Sequence, residues 1–171
     1  MSVTIPNLNT FIVRLATILR GNKTIFPDAN VGKNLVNKIL EYDPALAGSP
    51  DTTFVPYIFI GKSKGQPITR LDKAGRDTID KAGGTLYQYE FYCVCVAEGV
   101  DIPTAQQRAY DIAVPVQQAF EQNLRLTKLD GTEPLCRTVK TFLIPFLMKL
   151  NVPSIQAVNV VVRAEVYVNL R

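Results

Sequence analysis

Histidine is absent from the chain. The side chain most often used as a general base near neutral pH is therefore missing. Neither a Ser-His-Asp nor a Cys-His arrangement can be assembled from one copy. Cysteine is scarce, with Cys93, Cys95 and Cys136 the only three. Cys93 and Cys95 lie two apart in an expected strand, so they share a face, and same-strand neighbours rarely meet disulfide geometry. One C-x-C with a distant third cysteine does not match zinc-ligand spacing. The thiols are expected to be small buried apolar groups. No run of about 18 uncharged apolar residues occurs. The apolar N-terminal segment is broken by Arg14 and Arg20, with no basic stretch before it and no small-residue cleavage site after it. The expectation is a soluble chain made in the cytoplasm. No G-x-x-x-x-G-K-[ST] loop is present, and "GKSKG" at 61–65 shares its composition but not its spacing. The acids Asp72, Asp77 and Asp80 sit among lysines and arginines and form no isolated catalytic pair. Together these absences argue against an enzyme, and no cofactor or metal is expected.

What is present suits a folded domain. Apolar residues make up 47% of 171 positions, near the globular average, so residues 1–171 are expected to fold as a single domain around one core. The net charge of +4 is too small to argue nucleic-acid binding alone. Leu8, Phe11, Ile12, Leu15, Ile18 and Leu19 fall on one helical stripe over 8–20, with Asn7 or Asn9 as cap and Gly21 as stop. Val31, Leu35, Val36, Ile39 and Leu40 repeat that pattern and predict a second helix over 31–42, which Pro44 ends. Residues 43–51 read as loop. Aromatic and β-branched residues predict a strand over 52–61. Pro56 has no N–H, so this strand lies at a sheet edge or begins at Pro56.

A second strand is predicted over 85–99. Tyr87, Tyr89, Phe91, Cys93 and Cys95 share one face, and the opposite face turns apolar towards Val96. The main helix is expected over 101–123, with Asp101 as N-cap and Pro103 in the first turn. Ala105, Ala109, Ile112, Ala113, Val116 and Phe120 make its buried stripe. Pro115 should kink it or split it into two shorter helices. Asp130-Gly131 marks a turn. Residues 137–150 fit a strand broken at Pro145 or a strand followed by irregular chain. Residues 156–171 alternate almost without fault, with Val158, Val160, Val162, Ala164 and Val166 on the buried face. Strands 52–60 and 86–97 are expected to pair antiparallel. Helices collected on one face of a largely antiparallel sheet, with a long arm inserted between two strands, define an α+β fold.

That arm, residues 62–84, separates the first two strands. It carries Lys62, Lys64, Arg70, Lys73, Arg76 and Lys81 against Asp72, Asp77 and Asp80. Structureless connections beyond about 12–15 residues are uncommon unless functional or disordered. Two readings stay open: a solvated loop, or an arm ordered by a neighbouring subunit, its mixed charges setting register. Tyr57, Tyr87 and Tyr89 on the flanking strands suit either the core edge or an interface.

The succession "PYIFIGKSKG", a long excursion, "YQYEFYCVCVAEG", "DIPTAQQRAYDIAVPVQQAFEQN" and a late alternating strand resembles the tail terminator (tail completion, minor tail protein U-like) proteins of long-tailed bacteriophages, over roughly residues 10–170. The resemblance implies a homohexameric ring at the tail–neck junction of the virion. The ring would cap the last ring of tail tube protein, end tube polymerisation and meet a neck or head-completion protein. It would also meet the sheath if the tail is contractile, and DNA would pass through its channel; no membrane is implied. The arm residues and the tyrosine strands would supply inter-subunit or tube contacts. Competing classes are another neck component (a head-completion or stopper protein), a tube-like polymerising protein, and a cellular binding module with a peptide or nucleic acid on its strand edge.

Overall fold

The computed structural model describes residues 7–26, 38–41, 55–62, 66–67, 84–127, 131, 133–146 and 154–169. Helix α1 is Leu8–Gly21, capped by Asn7, whose side chain accepts from the Asn9 N–H at 3.0 Å. Its stripe buries Phe11, Ile12, Leu15, Ala16 and Leu19. Strand β1 (Ile39–Leu40) follows, then β2 (Tyr57–Lys62), β3 (Gln66–Pro67) and β4 (Gly84–Glu98). Helix α2 spans Ile102–Glu121, and β5 (Thr138–Phe146) and β6 (Ile155–Asn169) complete the chain. One six-stranded sheet has the order β1-β2-β4-β6-β5, with β3 alongside β4. β1 runs parallel to β2, and the other pairs are antiparallel. The α+β expectation, including the β2–β4 hairpin pairing, holds.

β4 and β6 form the spine. They pair over their full lengths, from Gly84 opposite Asn169 to Glu98 opposite Ile155. Both helices pack on the face that carries Phe91, Cys93, Cys95, Val158, Val160 and Val162. Phe11 of α1 stacks on Phe91, with ring centroids 5.3 Å apart. The small residues Ala105, Ala109 and Ala113 let α2 lie close to the strands, and each is fully buried. The alternation read from β4 and β6 therefore names the core face. The opposite face carries a smaller apolar cluster of Tyr57, Phe59, Val94, Val96, Ile155 and Ala157. All three cysteines are buried and reduced. Burial raises the thiols of Cys93 and Cys95 and pushes Cys136 up to about 12, so none is a thiolate at neutral pH.

Two expectations need correction. The helix predicted over 31–42 does not reach its stated end, because Ile39 and Leu40 form β1 opposite Ile58 and Phe59. Ile39 is fully buried there, and Arg20 fixes the segment through bonds of 2.7 Å to the Ile39 carbonyl and to the Glu41 carboxylate. Tertiary burial overrides helical spacing; residues 31–37 lie outside the described residues. Second, α2 does not split: it runs unbroken through Pro115. Of the two readings of Pro56 the later one holds: β2 begins immediately after it, and β1 covers its outer side at Ile58 and Phe59. Pro145 is accommodated within β5, the outermost strand, where a missing N–H can face away from the ladder.

Gly99 joins β4 to α2 at a point of very close approach. A Cβ placed there would lie 2.4 Å from the Ala105 nitrogen and 2.8 Å from the Thr104 carbonyl carbon. Both neighbours are backbone, so neither can move aside cheaply. Gly99→Ala is expected to lower stability by about 1–3 kcal/mol, measured by chemical denaturation, with Ala97→Gly as a comparison for backbone entropy.

Candidate assembly surfaces

The turn that follows Gly99 is fixed on both sides. The Gly99 N–H donates to the Ser154 carbonyl at 2.9 Å, and the Asp101 carboxylate accepts from the Thr104 N–H at 2.8 Å. The side chain and N–H of Thr104 together hold the Asp101 carboxyl below its ordinary range. A lowered acid contributes stability that is present above the unfolded-state value and lost as pH falls through the folded one. Asp101→Asn keeps the cap but removes the charge that suits a helix N-terminus. The melting temperature of the native chain should therefore exceed that of Asp101→Asn at pH 7, and the gap should close on acidification below about pH 4.

Between the Asp101 cap and Gly99 stands Val100, 89% exposed, and Ile102 just inside the helix is 50% exposed. Beside them lies a cavity of about 830 Å³. Ile25, Phe26, Val55, Pro56 and Ile112 supply its apolar lining; Lys38, Arg108, Glu98 and Asp111 supply charge. Arg108 Nη1 donates to the Glu98 carbonyl at 2.9 Å, and Asp111 accepts from Gln107 Nε2 at 2.9 Å. Partial burial lowers the Lys38 ammonium from its ordinary value.

A second surface is the outer strand β5. Among the described residues no strand pairs with its far side. Its face away from the helices presents Phe142 and Ile144, 40% and 48% exposed, beside exposed Lys140. The Arg163 guanidinium lies over the Phe142 ring at 4.8 Å, and its Nε bonds Glu90 at 2.6 Å. On the helix side, the Thr141 hydroxyl donates to Glu121 at 3.0 Å, tying β5 to the end of α2.

The structure redistributes the residues singled out from the sequence. Lys62 is the last residue of β2, within the sheet and not in a free arm. The chain is held again at β3, where Gln66 and Pro67 pair with Gln88 and Tyr87. β4 then begins at Gly84, so the excursion is rooted at both ends on the same sheet. Lys64, Arg70, Asp72, Lys73, Arg76, Asp77, Asp80 and Lys81 lie outside the described residues. Tyr57 and Tyr89 are 5% and 4% exposed, which puts them on the core side of the two roles considered; Tyr87 sits in β4 opposite Val166. Sequence reasoning missed Val100, Ile102, Phe142 and Ile144. No sequence signal marked Val100 as exposed, because an apolar residue just before an N-cap normally packs on the first helical turn.

No group of acids and thiols among the described residues could hold a metal ion, and no helix among them is long and apolar enough to cross a membrane. No family model matches the chain, and no curated protein matches it.

Proposed function

We propose that this chain is a structural subunit of a bacteriophage tail, of the tail-terminator kind. Copies join into a homohexameric ring that caps the tail tube, ends its polymerisation and meets the neck. The observation that carries the reading is the unfinished margin at β5, nine residues long with Phe142 and Ile144 exposed on it. A long open strand edge bearing apolar side chains favours pairing with another chain. A ring closes through heterologous contacts, in which one patch meets a different patch of the next subunit. The sheet-rooted excursion between β3 and β4 is a second part suited to reach a neighbour. The test is electron microscopy of the purified protein with and without tail tubes of the same virus. A ring seated at one tube end and shorter tubes in its presence are expected. Tubes that grow unchanged, with no added density at either end, overturn the reading.

A further inference from the structure

We propose that the β4–α2 turn is a second association site, at which two copies of this chain meet about a two-fold axis and each inserts its Val100–Ile102 ridge into the other's cavity. The inference does not depend on the ring, and no β5 residue lines the cavity.

Four observations converge on it. Val100 holds the position before the N-cap, where an apolar side chain ordinarily packs against the fourth helical residue, here Ala105. It does not do so: Val100 is 89% exposed while Ala105 is fully buried. Its exposure therefore serves neither the helix start nor the core. The ridge is also rigid, being fixed by the Gly99–Ser154 bond, the Asp101 cap and the close packing of Gly99 on Ala105. A preordered ridge loses little conformational entropy on docking. The third observation is the hole itself. About 830 Å³ lined by Phe26, Ile25, Val55, Pro56 and Ile112 accommodates two aliphatic side chains, and Val100 is part of its wall.

The fourth observation selects the partner. Among the described residues, the cavity lining carries two bases, Lys38 and Arg108, and two acids, Glu98 and Asp111. A surface built for a nucleic acid or for an acidic or basic peptide carries one dominant sign. A balanced patch that holds both ridge and hole is complementary to itself. In a two-fold contact residue i meets residue j and j meets i, so the bases of each copy can face the acids of the other.

The experiment is sedimentation velocity of the full chain over a concentration series. The native chain should show a dimer that dissociates on dilution. Val100→Asp with Ile102→Asp should weaken that step at least tenfold. Val100→Ser with Ile102→Ser, a milder pair at the same exposed positions, keeps the test decisive if the aspartate variant is unstable; thermal melts identify which variants are folded. Among these four described charges, Arg108→Glu leaves three acids and one base, and Asp111→Lys leaves three bases and one acid. Each alone should self-associate less, and mixing the two should restore dimers. A folded serine variant that dimerises as tightly as the native chain, or a native chain with no two-fold species at any concentration, overturns the inference. Rings that form while no ridge-dependent dimer appears sink this contact but leave the tail reading standing, whereas ridge-dependent dimers without rings do the reverse.

Discussion

Val162→Asp yields no folded protein. Val162 is fully buried at the centre of β6, flanked across the ladder by Phe91 of β4 and Thr141 of β5. Phe91 offers a carboxylate nothing, and the Thr141 hydroxyl already donates to Glu121. An uncompensated buried charge belongs to the short list of changes that cost more than about 4–5 kcal/mol. A domain's whole stability is about 5–15 kcal/mol. Val162→Ala, which only removes apolar contact, should cost about 2 kcal/mol and remain folded. Val166→Asp is the instructive comparison. Val166 borders a cavity of about 370 Å³ also lined by Arg125 and Arg137, so a carboxylate there has cations within the same space. It should fold where Val162→Asp does not. Circular dichroism and soluble yield report all three, and a cooperative melt from Val162→Asp would contradict the assigned face.

On the proposed tail reading, replacing residues 68–82 with a short Gly-Ser linker abolishes ring formation while leaving the monomer folded. The cut spares β2, β3 and β4, which hold the excursion at both ends. Loop-closure entropy changes by only about 0.6 kcal/mol for each doubling of loop length, so stability should barely move. What disappears is a segment holding Arg70, Asp72, Lys73, Arg76, Asp77, Asp80 and Lys81. The melting temperature, light scattering and micrographs of tube ends separate fold from assembly. Rings that form normally from the shortened chain would show that the excursion is not the contact.

The parts of the fold legible in the sequence are those where a single period governs the residues. The alternation at Val158, Val160 and Val162 and at Phe91, Cys93 and Cys95 named the core face, since a strand has only two faces and one packs on helices. α1 and α2 were readable because stripe, cap and stop agreed. The misreading at Ile39 and Leu40 came from a pattern too short to separate a helix from a buried strand, where the deciding partner, β2, lies well along the chain. Leu126 illustrates another limit. It adopts φ 44° yet is 1% exposed, and its carbonyl accepts from Leu135 beside the turn at Gly131. Propensity gives no warning of a buried leucine in the left-handed region, because burial holds it there. The assembly surfaces were least legible. Phe142 and Ile144 look like core residues in one dimension, and only the strand order leaves them on an uncovered margin.

The full-length match of β4 to β6 also governs when the molecule can exist at all. Gly84 finds its partner at Asn169, and among the described residues the outer strand β5 pairs in the sheet only with β6. During translation β4 therefore lacks its longest partner until β6 has been made. A chain cut before β6 loses the strand that joins β4 to β5.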